Sequence, residues 1–131
     1  MKKHFGEEHQ KAFGEEIGKG GAPDTGSGFY SQKLTYEEWY RFNNSQRAHM
    51  NYVEMVASHL CFLAVAGIYF PIPAASVGLV MIISRILYSC GYAAAGPKGR
   101  LVGALINDLC FLALFVLAFI SSIFFILNQE I

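Results

Sequence analysis

The sequence predicts an all-α membrane protein, an antiparallel bundle of transmembrane helices with three spans in this chain. Three observations predict it: the segregation of charge along the chain, three successive apolar segments of spanning length, and the turn chemistry that separates them. Charge comes first. Residues 1–47 hold Lys2, Lys3, Lys11, Lys19, Lys33, Arg41 and Arg47 together with Glu7, Glu8, Glu15, Glu16, Asp24, Glu37 and Glu38. The rest of the chain carries only Arg85, Lys98, Arg100, Glu54, Asp108 and Glu130. A soluble surface is roughly a quarter to a third charged, so that part of the chain has no means of covering itself in water. The formal net charge of zero gives no reason to expect nucleic acid as a partner.

The apolar segments are 52–70, interrupted by Glu54, Ser58 and His59; 74–95, with Arg85 as its single charge; and 101–127, with Asn107 and Asp108. A helix rises about 1.5 Å per residue, so each is long enough for a hydrocarbon core of about 30 Å. The separators are Pro71-Ile72-Pro73 at one face and Gly96-Pro97-Lys98-Gly99 at the other. Proline does not continue a helix, and glycine takes the positive φ that ends one. Short turns between long helices imply antiparallel neighbours. The expected organisation is a polar, flexible cytosolic segment at 1–34 and a helical membrane domain at 35–131, with spans at about 47–70, 74–95 and 100–127.

Thr35-Tyr36-Glu37-Glu38 has the capping-box pattern, which starts the first long helix ahead of the membrane. Trp39, Tyr40 and Phe42 suit an interfacial belt. Residues 14–31, rich in Gly, Ser, Pro and Asp, read as a mobile loop. Lys98 and Arg100 sit on the same side as the N-terminal segment, whereas the Pro71–Pro73 turn carries no base, so the positive-inside rule puts the basic side in the cytosol. No apolar core follows the charged first residues, so no secretory signal is visible. Cys61, Cys90 and Cys110 are odd in number, widely spaced and set in apolar segments, and read as small buried hydrophobes rather than disulfides or metal ligands.

Polar residues inside the spans are the candidate chemistry. Arg47, Asn51 and Glu54 recur at i, i+4 and i+7, one face of a helix; Arg85, Tyr88 and Tyr92 recur at i, i+3 and i+7, again one face. Both rows lie toward the cytosolic ends of their helices, at the level where Arg100 opens the next one. An ionisable group at membrane depth costs a few kcal/mol or more, so it persists where it has a partner or a task. Two readings stand at this point. Glu54 pairs with Arg47 or Arg85 to hold the bundle, with the tyrosines as anchors; or the rows converge on a polar site. His49 and His59 read as helix-packing hydrogen bonders, since no paired ligand spacing accompanies them and no metal site is expected. Asp108 reads as a carboxyl that is buried and neutral, or paired across helices.

Gln46-Arg47-Ala48-His49-Met50-Asn51-Tyr52-Val53-Glu54 resembles the signature of the MAPEG family, the membrane-associated proteins of eicosanoid and glutathione metabolism. A second block is similar too: Arg85-Ile86-Leu87-Tyr88-Ser89-Cys90-Gly91-Tyr92, then Gly96, Pro97, Arg100 and Gly103-Ala104-Leu105. Within the family this looks like the third type of microsomal glutathione transferase, over roughly residues 41–127. The resemblance implies a homotrimer that binds glutathione between adjacent subunits, open to the cytosol, in the endoplasmic reticulum or else the outer mitochondrial membrane. It implies glutathione binding by Arg47, Asn51, Glu54, Arg85, Tyr88 and Tyr92, with Arg100 as the residue that activates the thiol. The activity implied is a glutathione transferase or peroxidase acting on a lipophilic electrophile or a lipid hydroperoxide from the bilayer. The other reading is a non-catalytic scaffold or structural subunit; the scaffold branch lacks an arginine at the Arg47 position.

Those residue types suit the ligand. Arginine offers forked donors to a carboxylate, and Glu54 suits an ammonium. A free thiol titrates near about 8.5, and a nearby arginine in a partly dry pocket favours the thiolate. The sequence also departs from the family. Relatives begin with a further membrane helix, and Met1-Lys2-Lys3-His4-Phe5 looks like the cytosolic exit of one, as if the chain began just after it. Ala57 stands where relatives often carry a kinking proline, and 6–34 is expected to have no counterpart.

Overall fold

The computed structural model describes residues 2–18 and 24–128, with side chains from residue 5 onward. Four α-helices follow one another: α1 (Lys2–Phe13), α2 (Tyr36–Tyr69), α3 (Pro71–Ala95) and α4 (Leu101–Leu127), with short 3₁₀ turns at Ser31–Lys33 and Gly96–Lys98. No strand occurs among the described residues. The all-α class and three helices long and apolar enough to span a bilayer are as the sequence predicts. The chain divides into two compact units, Met1–Gln46 and Arg47–Ile131.

In the first unit, α1 is an element that a polar, flexible segment at 1–34 does not include. Part of the expected loop at 14–31, residues 19–23, lies outside the described residues, as does Met1 of the expected helix exit. The part at 24–31 is built on one carboxylate. Asp24 accepts hydrogen bonds from the Gly26 amide (2.9 Å), the Tyr30 amide (2.7 Å), the Ser31 amide (3.0 Å) and the Ser31 hydroxyl. The Ser31 hydroxyl first, then the Gly26 and Ser31 amides, stabilise the ionised form and hold the Asp24 carboxyl well below the usual carboxylate range, against an opposing effect of desolvation. Trp39 Nε1 donates to the Gly26 carbonyl at 3.3 Å. Lys33 pairs with Glu8 at 2.5 Å and lies 4.4 Å from the Phe5 ring centroid, tying the turn to α1. The capping box closes as its pattern predicts: Thr35 N–H donates to Glu38 (3.2 Å) and the Glu38 amide to Thr35 Oγ1 (3.4 Å).

In the second unit, the chain turns between α2 and α3 on a single residue. Phe70 leaves helical geometry at φ −124°, ψ 59°, and Pro71 is already the first residue of α3. The separator is therefore shorter than Pro71–Pro73. Proline at a first helical position gives up an N–H that would have no intrahelical partner anyway, so both prolines fit inside the first turn. The other turn needs Gly96, whose φ of 63° belongs to the left-handed region.

The two turns make an antiparallel arrangement whose interior is small and apolar. Ala66 of α2, Ala74 and Met81 of α3, and Cys110, Leu114 and Ala118 of α4 form one buried cluster, with Phe62, Leu63 and Ile106 packed on it. Small residues allow the close backbone approach on which association in lipid depends, because burial from lipid yields no hydrophobic gain. The approach is closest between α3 and α4. A Cβ on Gly103 would meet the Tyr88 Cα at 2.6 Å and the Ser84 carbonyl oxygen at 2.8 Å. Large side chains point outward instead, as with Leu109 at 67% and Ile82 at 61% exposed. A continuous coat of leucine, isoleucine and phenylalanine is untenable in water and ordinary in hydrocarbon. Of the three cysteines only Cys110 is buried; Cys61 and Cys90 are on the outer faces, contrary to the sequence reading.

Candidate functional site

The site is centred on α3. Its i, i+3, i+7 row sets Arg85, Tyr88 and Tyr92 toward the bundle, with Tyr88 3% and Tyr92 2% exposed. Ala48 of α2 and Ala104 of α4 pack against the two tyrosines, which stand with ring centroids 5.8 Å apart. Asn51, half-buried on the same side of α2, accepts a hydrogen bond from Arg85 Nη1 at 2.9 Å. The Arg85 guanidinium carbon lies 4.9 Å from the Tyr88 centroid and 5.0 Å from that of Tyr52. On the other side of Tyr88, Arg100 Nη1 donates to the tyrosine hydroxyl at 3.2 Å and stands 5.4 Å from the Tyr92 ring. The result is one connected row: Asn51, Arg85, Tyr88, Arg100, Tyr92.

The electrostatics of this row are unbalanced. Two guanidinium groups flank a single tyrosine, and no carboxylate among the described residues pairs with either. Arg85 Nε and Nη2 are buried with no hydrogen-bond partner. Leaving a buried donor unmade costs about 1–3 kcal/mol, more where the group is charged. Stacking on the faces of two tyrosines offsets part of that, since a desolvated cation–π contact contributes up to about 2 kcal/mol. The Nε–Nη2 edge of a guanidinium is the fork that meets a carboxylate in two parallel hydrogen bonds. This arrangement has room in its chemistry for an anion.

Arg47 and Glu54 lie elsewhere. Both side chains are exposed, and neither makes a hydrogen bond or an ion pair among the described residues. The pairing of Glu54 with Arg47 or Arg85 is thus not how the bundle is held; Arg85 meets the neutral Asn51 instead. The three residues do share one side of α2, as their spacing requires, but α3 meets that side along Ala48 and Asn51 and leaves its outer edge uncovered. Tyr52, which carries one wall of the Arg85 site, went unnoticed in the sequence. Its place directly after Asn51 in an otherwise aromatic-poor stretch was the available signal.

His59 packs helices, as expected: its Nδ1–H donates to the Met55 carbonyl at 2.6 Å, its Nε2 lies 3.5 Å from Asn107 Nδ2, and Phe111 sits 4.9 Å from the ring. His49 is exposed. Asp108 is exposed on the outer face of α4 and forms no pair among the described residues, so it is neither buried nor bridged to another helix within the chain.

The sequence model of the MAPEG family matches residues 8–120. The chain belongs to the MAPEG family. The match starts well ahead of residue 41, so part of α1 and the Asp24 turn fall within the family's span, contrary to the expectation that 6–34 has no counterpart. No solved structure matches the chain. MAPEG proteins include glutathione transferases and peroxidases as well as non-enzymatic members. Membership together with the three apolar helices makes this an integral membrane protein of a glutathione-associated family.

Proposed function

We propose that this MAPEG protein is a membrane-bound glutathione transferase or peroxidase of the third microsomal kind, resident in the endoplasmic reticulum. The observation that carries the reading is the Arg85 guanidinium, whose two-donor edge is buried and unpaired, with its carbon near the Tyr52 and Tyr88 rings and a second arginine on the hydroxyl of Tyr88. Glutathione supplies what such a row lacks, namely two carboxylates, and adds one ammonium and one thiol. Arg85 and Arg47 take carboxylates, Glu54 takes the ammonium, and Asn51, Tyr88 and Tyr92 add neutral hydrogen bonds. Arg47 and Glu54 lie uncovered at membrane depth in a single copy, which fits a homotrimer in which a neighbouring subunit closes the site.

Arg100 is the activator in this scheme. One of its N–H groups is held by the Tyr88 hydroxyl, and the others are free to face a sulfur. A cation beside the thiol stabilises the thiolate, so the proton leaves for solvent and the sulfur becomes the nucleophile. With an electrophile, a carbon–sulfur bond forms as the leaving group departs. With a lipid hydroperoxide, the thiolate attacks the O–O bond, and a second glutathione completes reduction to the alcohol, water and glutathione disulfide.

Thiolate absorbance in the ultraviolet, read as glutathione is added to the full-length protein in detergent, tests this directly. Its appearance is expected, and in Arg100→Ala turnover is expected to fall while glutathione affinity stays. Unchanged turnover in that variant removes Arg100 from the activating role. If the intact protein neither binds glutathione nor forms the thiolate, the enzyme reading fails and the non-catalytic scaffold takes its place.

A further inference from the structure

The unit Met1–Gln46 has a composition that its place before a membrane helix does not by itself explain. It holds eight aromatic residues against two branched aliphatic ones, Ile17 and Leu34. A small domain core is normally led by leucine, isoleucine and valine, whereas rings outnumbering aliphatics mark the membrane–water interface. The rings are also placed outward. Phe13 is 71%, Phe29 73% and Tyr36 77% exposed, and Tyr40 is exposed as well.

Phe29 shows that the exposure is built in. It is held in the turn whose next two amides, Tyr30 and Ser31, both donate to Asp24. Its ring stands 6.0 Å from that of Phe5, and Lys33 lies 5.8 Å from its centroid while paired with Glu8. Beside Phe5 and Lys33, the ring has less conformational freedom to lose on docking than an unsupported side chain. On the first turns of α2, Tyr36 lies 6.0 Å from Trp39 and 6.2 Å from Tyr40, a second ring cluster.

We propose that the Met1–Gln46 unit is a bilayer-surface anchor, with the rings of Phe13, Phe29, Tyr36 and Tyr40 seated among the lipid headgroups. The occupant follows from two facts. α2 runs without a break from Tyr36 into the span, so the unit is tethered where a bilayer surface is always within reach. The unit carries six basic and seven acidic residues, so attraction to anionic lipid is not what would hold it. Contact is by aromatic insertion, and it is independent of the glutathione reading.

Trp39 is the one tryptophan of the chain and belongs to this unit. The test therefore needs no label. Full-length protein is placed in phosphatidylcholine vesicles, and Trp39 emission is followed with acyl-brominated phosphatidylcholine and with aqueous acrylamide. Expected are a loss of emission with brominated lipid, weak acrylamide quenching, and no change on adding salt or anionic lipid. In Phe13→Ser/Phe29→Ser most of the lipid quenching disappears while the Gly26, Tyr30 and Ser31 amides keep their exchange protection. Should that protection be lost, Phe13→Ser alone, at a ring outside the Asp24 turn and 4.8 Å from that of His9, is read instead. Strong acrylamide quenching without lipid quenching overturns the proposal. So do lipid quenching that vanishes in high salt and lipid quenching indifferent to the substitutions. Shielding from acrylamide without lipid quenching overturns it too, since the protein's own packing around Trp39 would then account for the shielding.

Discussion

Tyr88 does two things at once: its ring is one wall for Arg85, and its hydroxyl oxygen is an acceptor for Arg100. Removing the oxygen alone separates them. Tyr88→Phe keeps the stack and frees Arg100; since a hydrogen bond to a charged group is worth about 1.5–3 kcal/mol, kcat is expected to fall roughly tenfold or more. The KM for glutathione should rise as well, because the same hydroxyl is one of the groups proposed to hydrogen-bond the ligand, and steady-state kinetics with glutathione varied would check both. Asp24 governs local order rather than turnover. Its carboxyl is lowered in the folded chain relative to an ordinary aspartate near about 3.9. A lowered folded pKa contributes stability that is fully present above the unfolded value and is lost progressively as pH falls from there through the folded one. Exchange protection at Gly26, Tyr30 and Ser31 should therefore be the same at pH 7 as around pH 4, where an ordinary aspartate is half protonated. In Asp24→Asn the protection should be lost at every pH, because the anionic acceptor is gone.

Among the elements, the α3–α4 pair carries the geometry of the site. Gly103 lets α4 lie against the backbone of Tyr88 and Ser84, and this fixes how far Arg100, three residues earlier, stands from the tyrosine hydroxyl. Gly103→Ala forces a methyl group into backbone that has nowhere to go. Overpacking of this kind costs about 1–3 kcal/mol, and the helices must part to accommodate it. A lower thermal midpoint in detergent and a weaker glutathione response are expected together; a midpoint unchanged from the parent would show the contact to be slack. α2 is built differently. At 34 residues it reaches about 50 Å, well beyond a hydrocarbon core of about 30 Å. It meets α3 near the site through Ala48, which packs with Tyr88 and Tyr92, and through Asn51, which accepts the hydrogen bond from Arg85.

For the molecule as a whole, uncovered charge is the feature with a consequence. Arg47 and Glu54 of α2 and Asp108 of α4 stand exposed on helices otherwise coated with leucine, isoleucine and phenylalanine. A charge facing lipid costs a few kcal/mol or more, and assembly removes that cost for Arg47 and Glu54 if a neighbouring copy covers them. Native mass measurement in mild detergent is expected to give three copies, and a stable monomer with full glutathione affinity would rule the shared site out. The sequence by itself determined the fold class, the three spans, the capping box at Thr35 and the two rows of polar residues. These follow from hydropathy and from periods of 3.6 residues, which are local properties of the chain. Only the tertiary structure decided which members of each row meet. Asn51 turns to Arg85 and Glu54 does not, because α3 crosses α2 along one edge of a face that spacing alone treats as whole. The order in the Asp24 turn was hidden for the same reason. Four donors converging on one carboxylate is a property of positions in space, and composition rich in glycine and serine reads alike whether such a chain is pinned or loose.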